Sequence, residues 1–241
     1  MLEYGNSGLY QFNTNNINSA TLVGNFSFGT DTIELVGATE NSVYTFDRDL
    51  NALSEISTID ASIIRTTALD IDITRQPRGF DMGYDGILYG VFGGMNLRGI
   101  DPTTGITTSI ARLTGAFAVE SIAFAADGTL YATGNASNTV GNFLYTIDVS
   151  TGVMTLVGNM GLEIDTLTFD QDGMLYGSRS GPTRDSLYSI DTGTAALTNL
   201  GNTGVFEIVG LTSIRSVPEP SSILLMAIGL AGLRLTKKVQ L

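Results

Sequence analysis

Leu167-Thr168-Phe169-Asp170-Gln171-Asp172-Gly173-Met174-Leu175-Tyr176-Gly177 is the stretch whose reading decides the fold. A short apolar strand runs into an Asp-Gly turn and out again into a second apolar strand. Asp-Gly supplies the positive φ angles that a tight hairpin requires. After a polar loop, Ser178 to Asp185, come a third strand, Ser186 to Ile190, the turn Asp191-Thr192-Gly193, and a last strand, Ala195 to Leu200. Four short strands and three turn signals make one module of about forty residues, complete by Gly204.

The module repeats. Asp-Gly-x-Leu-Tyr recurs at Asp85 to Tyr89, Asp127 to Tyr131 and Asp172 to Tyr176, with the glycines 42 and then 45 residues apart. A second hairpin follows each copy, at Arg98 to Asp101, Tyr145 to Asp148 and Tyr188 to Asp191. Looser versions of it are read at Val43 to Asp47 and Leu9 to Asn13. The turns after these strands, Asp101-Pro102-Thr103-Thr104-Gly105 and Asp148-Val149-Ser150-Thr151-Gly152, place an Asp to cap the turn and a Gly for the left-handed position.

Four strands per unit at a period of 40–50 residues signal a β-propeller. No stretch of the body has a sustained 3.6-residue apolar period, so almost no helix is expected before the tail. The first hairpin, from Leu9, lacks inner strands before it, and the last apolar segment, Phe206 to Ile214, lacks a hairpin after it. Joined, they complete one blade and remove a free edge. The expectation is an all-β propeller of about five blades over residues 1–215, or part of a larger ring.

Composition narrows the function. With no Cys and no His among 241 residues, thiol chemistry, disulfides, imidazole bases and His-ligated metals are excluded. The net charge is −12. Both lysines and Arg234 lie at the extreme C-terminus; setting them and Glu219 aside leaves nine arginines against 23 acidic residues, a body of −14. An acidic body repels nucleic acid and anionic lipid, so no nucleic-acid partner is expected. Its simplest role is to keep the surface solvated.

After Arg215 the composition changes. Val217-Pro218-Glu219-Pro220-Ser221 is stiff and extended. An apolar run, predicted as a helix over 222–233, is followed by Arg234, Lys237 and Lys238. Between Glu219 and Arg234 lie 14 uncharged residues, about 21 Å of helix against a bilayer core of about 30 Å. A short span and a buried terminal helix both fit that length. The basic end favours a span with a cytoplasmic C-terminus and the body across the membrane.

Motif, apolar helix and basic end, in that order at the end of the chain, resemble the PEP-CTERM sorting domain, over residues 216–241. The resemblance implies that Pro218, Glu219 and Pro220 mark the site for an exosortase, a membrane protease-transpeptidase, and that Arg234, Lys237 and Lys238 form the membrane stop. It also implies a Gram-negative-type bacterium that makes exopolysaccharide, and a mature protein on or outside the cell surface. Members ordinarily begin with a signal peptide. Met1 to Asn6 has no basic or apolar segment of that kind, so either a misassigned start codon or a truncated gene is expected.

Elsewhere each candidate has a plainer explanation beside it. Asp170 and Asp172 suggest a calcium loop, but the Glu such a loop needs six residues past the Gly is Arg179; an ordinary turn is favoured. Asp70-Ile71-Asp72 reads as a pair of carboxylates on one strand face or as an exposed strand end. Tyr89, Tyr131 and Tyr176 read as packing between blades, with a sugar-stacking platform as the alternative. Arg75, Arg78, Asp81 and Asp85 read as one charged loop. No catalytic constellation and no cofactor other than calcium is expected. The favoured function is an exported surface or matrix protein using the propeller as a binding scaffold, with exopolysaccharide or a surface protein as partner. The alternative is a metal-dependent propeller hydrolase or lactonase. Any binding site is expected in what does not repeat, such as the loops Ser178 to Asp185 and Asn135 to Asn142.

Overall fold

The computed structural model describes residues 2–3, 8–14, 16–25, 32–39, 41–73, 78–93, 95–136, 142–180, 185–205 and 208–214. The tail, with its expected helix over 222–233, lies outside them. The described residues contain strands and turns and no α-helix. They form five four-stranded antiparallel sheets in a β-propeller arrangement.

The first sheet joins the two ends of the body. It takes β1 (Leu2–Glu3), β2 (Gly8–Asn13) and β3 (Asn16–Asn25), together with β20 (Ile208–Gly210), in the order β20-β1-β2-β3. The second sheet is β4 (Thr32–Ala38), β5 (Ser42–Asp47), β6 (Ala52–Ser57) and β7 (Ile63–Ala68). The third is β8 (Arg78–Met82), β9 (Leu88–Phe92), β10 (Asn96–Ile100) and β11 (Thr107–Arg112). The fourth is β12 (Ala118–Phe124), β13 (Leu130–Asn135), β14 (Asn142–Ile147) and β15 (Met154–Asn159). The fifth is β16 (Thr166–Phe169), β17 (Leu175–Arg179), β18 (Ser186–Ile190) and β19 (Leu197–Asn202).

Inner strands lie beside one another: β4 by β8, β8 by β12, β12 by β16, and β20 by β4. Each inner strand is a sheet edge, so its outward N–H groups need acceptors from elsewhere. The preceding sheet supplies them from side chains. Asp81 Oδ2 accepts from Phe124 N at 2.7 Å and Ser121 Oγ from Leu167 N at 2.9 Å; beyond the end of β20, Thr168 Oγ1 accepts from Ser213 N at 3.1 Å. Asp185, also buried, accepts from Ile208 N at 2.5 Å and so fixes β20.

The core sits between the sheets. Phe46, Phe80, Leu88 and Ile100 fill the space between the second and third; Ile122, Leu130, Leu97 and Met154 that between the third and fourth; Leu144, Ile164, Phe169 and Leu175 that between the fourth and fifth. Both faces of a sheet are therefore covered, and the period-2 pattern of a half-exposed strand is blunted. The outer strand β7, facing solvent, alternates exposed and half-buried residues.

The outer turns lock one sheet to the next. Gly152 has φ 76° and abuts β11, where an added Cβ would lie 2.3 Å from the Arg112 carbonyl oxygen. In the next junction the same turn position is Ala195, at φ 63°. Here the facing strand carries the glycine: a Cβ on Gly158 would sit 3.0 Å from the Ala195 Cβ. The close approach is retained, and the missing methyl has moved across the interface.

Several expectations are corrected in detail. Val43 to Asp47 is β5, a second strand, not a copy of the hairpin that starts the third. That copy is β6, whose turn uses Ser57: its Oγ accepts from Ile59 N at 3.1 Å, where the third, fourth and fifth sheets use Asp101, Asp148 and Asp191. Asp47 misleads because it too caps a loop, accepting from Leu50 N at 3.0 Å. In the Asp-Gly turns only the Gly takes positive φ, 79° at Gly86, 87° at Gly128 and 81° at Gly173. The Asp holds the turn instead, as Asp127 does by accepting from Thr129 N at 2.9 Å. Of the strand expected over Phe206 to Ile214, the described residues 208–214 form a strand only at β20; Phe206 and Glu207 lie outside the described residues. The last strand of the opening module begins at Leu197, because Ala195 is in the turn.

Candidate functional site

Asp85, Tyr89 and Phe124 show how a regular junction is filled. Tyr89 follows the Asp-Gly turn on β9 and donates its hydroxyl to Asp85 Oδ2 at 2.8 Å. Burial first, and then that carboxylate, push its pKa up to about 12. Its ring meets Phe124, at the end of β12, edge-on with centroids 4.9 Å apart. In the next junction Tyr131 meets Phe169, at the end of β16, at 5.4 Å. The repeated tyrosines do pack between sheets at these two places.

The third tyrosine has no such partner. Thr168 Oγ1 accepts from Ser213 N as Asp81 accepts from Phe124 N, so Ser213 occupies the place of the phenylalanine. Among the described residues Tyr176 meets no aromatic ring at stacking distance. In that space lies a cleft of about 490 Å³ between the fifth and first sheets. Tyr10 and Phe12 of β2 line it with Tyr176, and Leu187 and Leu211 form part of its floor. Gln11, Asn13, Thr14, Gln171 and Thr212 add amides and hydroxyls. Burial first, then the Asp170 charge and hydrogen bond, raise the Tyr176 pKa above its ordinary value, while Thr14 acts the other way.

The strap Leu211 to Ile214 forms one side of this cleft. Ser213 Oγ donates to the Phe169 carbonyl, and Gln171 Nε2 donates to the Ile214 carbonyl at 2.7 Å. The chain therefore leaves the described body beside the cleft.

Asp170 and Asp172 both line the cleft. Asp170 Oδ1 is occupied as a turn acceptor, from Asp172 N at 3.0 Å and Met174 N at 2.8 Å. Among the described residues no group of three or more carboxylates stands close enough to hold a metal ion. Asp70 and Asp72 are not on a strand, since β7 ends at Ala68. Asp70 instead accepts from Thr107 N of the next sheet at 3.1 Å. The charged loop expected from Arg78, Asp81 and Asp85 is dispersed. Arg78 pairs with Glu120 at one end of β8, Asp81 is buried within the strand, and Asp85 lies in the turn beyond; Arg75 is outside the described residues. So are the central parts of the two non-repeating loops, 137–141 and 181–184, and the tail residues Val217, Pro218, Glu219, Pro220, Ser221, Arg234, Lys237 and Lys238. No described helix is long and apolar enough to cross a membrane.

Sequence reading placed Tyr176 correctly in the repeat but missed the cleft. The available signal was the absence of an aromatic residue from Leu211-Thr212-Ser213-Ile214, where the earlier copies carry Phe124 and Phe169.

Comparison with known proteins supports both halves of the chain. A family model for the PEP-CTERM protein-sorting motif matches residues 216–238. No curated protein sequence matches the chain. The body is similar to a solved structure of a putative TolB from Agrobacterium tumefaciens, with 13% identity and a TM-score of 0.52, over 81% of this chain and 71% of that one. It is also similar to hydrazine synthase from Kuenenia stuttgartiensis, with 14% identity and a TM-score of 0.46, over 69% of this chain and 48% of that one. A putative gluconolactonase shows 16% identity and a TM-score of 0.46, over 71% and 63%. At these identities the likeness concerns the fold alone, and the chain spans about half the length of the hydrazine synthase. Residues 216–238 carry a PEP-CTERM sorting signal behind a propeller-like body.

Proposed function

We propose that this is an exported protein processed by an exosortase at Val217-Pro218-Glu219-Pro220-Ser221, whose five sheets close one five-bladed ring that serves as a non-catalytic binding scaffold at the cell surface or in the extracellular matrix. The observation that carries this reading is the sorting-motif match at 216–238, beginning two residues beyond the strap at Ile214. The apolar run 222–233 then holds the chain in the membrane until cleavage, with Arg234, Lys237 and Lys238 on the cytoplasmic side. A scaffold role accords with a chain that offers no His or Cys and whose acidic side chains so often accept backbone N–H groups in turns and between sheets.

The test is the intact mass of the full chain produced in cells with and without an exosortase. Loss of the segment beyond the Pro-Glu-Pro motif only when the enzyme is present, and its retention in a Pro218→Ala/Pro220→Ala variant, are expected. An unchanged mass in both cell types overturns the processing assignment.

A further inference from the structure

We propose that the cleft between the fifth and first sheets is the docking place of the chain's own Val217-Pro218-Glu219-Pro220 segment, which the body thereby shields until an exosortase takes it. The docking goes beyond the processing reading, and it can hold or fail without it.

The argument begins with where the described body ends. Ile214 is itself a lining residue of the cleft, and its carbonyl accepts from Gln171 Nε2 at 2.7 Å. Hydrogen bonds to Thr168 and Phe169 fix the strap further. The segment is therefore tethered at the cleft wall. Pro218, four residues on, can lie at most about 14 Å from that anchor. On so short a tether the local concentration is in the millimolar range, and a weak contact suffices. At the two preceding junctions Phe124 and Phe169 fill the corresponding space. The open place falls at the junction from which the chain continues into the sorting motif.

The lining suits this occupant. Tyr10, Phe12 and Tyr176 are half-buried and line the cleft together. Proline-rich segments dock on aromatic-lined grooves because their extended form is already set, so little chain entropy is lost. Val217 and Glu219 each precede a proline and share that bias. Pro218 and Pro220 carry no N–H that would need an acceptor on burial. Charge agrees with the direction of the chain. Arg215 follows Ile214 directly, so a cation is tethered next to a cleft lined by Asp170 and Asp172. The acidic Glu219 comes later along the segment.

The experiment places nitroxide labels on Thr21→Cys/Ser221→Cys in the full chain, held in detergent micelles, and reads their separation by pulsed electron resonance. No native cysteine competes for the label. Thr21 is exposed on β3 and pairs with Gln11 of the lining. One narrow distance is expected, unchanged on dilution with unlabelled chain. Tyr10→Ala and Pro218→Gly/Pro220→Gly should each broaden it about twofold or more, as release into a flexible linker does. If Tyr10→Ala fails to fold, Thr14→Trp, at an exposed lining position, should broaden it by blocking the cleft. A broad distribution in the parent pair would overturn the proposal. So would a narrow one that survives the cleft variants, which marks a stiff linker without a dock. A short distance lost on dilution would overturn it too, since the occupant is then the tail of a second copy. No exosortase is present, so the outcome stands apart from the mass test of processing.

Discussion

The junction between the third and fourth sheets and the junction between the fifth and first are built on the same plan. In each, a side chain from one inner strand accepts an N–H from the neighbouring chain, Asp81 from Phe124 of β12 in one and Thr168 from Ser213 of the strap in the other. In the first, Tyr89 after its Asp-Gly turn meets Phe124; in the second, Tyr176 lines the same cleft as Ser213. The difference lies in that residue. A phenylalanine fills the first junction and makes it core; a serine leaves the second open. Repetition fixes the frame of a propeller, and a departure from repetition decides where solvent and ligands can enter it. The open junction also holds the closing strand β20 and the strap from which the sorting tail departs.

The comparison can be broken most forcefully at the filled junction. Phe124→Ala should destabilise the body by about 3–5 kcal/mol, read from the urea midpoint, whereas Ser213→Ala at the equivalent place should cost about 1 kcal/mol or less. Equal losses would show that the two junctions are not different in kind. The turn locks come next. Gly152→Ala must adopt φ 76° and meet the Arg112 carbonyl, and should cost about 2–3 kcal/mol. Ala195→Gly exchanges a relaxed left-handed backbone for a lost buried methyl and should change stability by about 1 kcal/mol or less.

Ser213→Phe sharpens the comparison from the other side. By supplying Tyr176 with a ring it should stabilise the body by about 1 kcal/mol, seen as a higher urea midpoint with an unchanged slope. The smallest effect is electrostatic. Asp101, Asp148 and Asp191 cap equivalent turns, and hydrogen bonds from Thr103 N, the Ser150 hydroxyl and the Thr194 hydroxyl, respectively, are the leading causes that lower their pKa values below 3.8. Each carboxylate is therefore favoured by folding. Its contribution is complete above pH 3.8 and is lost as pH falls through the lower folded value. Thermal unfolding followed below pH 4 should show this loss, and Asp101→Asn/Asp148→Asn/Asp191→Asn should show a shallower one.

Much of this was legible in the sequence, for a physical reason. A propeller sheet repeats its turns, and turn residues are read locally: Asp-Gly before Leu-Tyr, and Asp-x-x-Thr-Gly after the third strand. Where a turn keeps its geometry but changes its residues, the reading slips. Ser57 replaces an Asp cap, and Ala61 and Ala195 replace a left-handed glycine, so β6 was missed and β19 was started too early. Leu2–Glu3 escaped as well, because two residues carry no period; only pairing of Leu2 with Gly210 and Leu9 makes them a strand. The cleft was invisible for a different cause. It depends on two residues 37 positions apart, Tyr176 and Ser213, lining one space at the junction that joins the body's two ends. The sorting signal needed no tertiary information, since it is read from consecutive residues.

Closure of the ring through the first sheet is the claim on which the cleft, the strap and the exit of the tail all depend. The chain contains no cysteine, so one engineered pair reports on it cleanly. Leu2 and Gly210 are antiparallel Cα partners, at a separation typical of such pairs of about 4.5–5.5 Å and within disulfide range. In Leu2→Cys/Gly210→Cys an intramolecular disulfide should form under mild oxidation and raise the urea midpoint, since it cross-links a loop spanning nearly the whole body. A pair that stays reduced, or that links only separate molecules, would contradict ring closure.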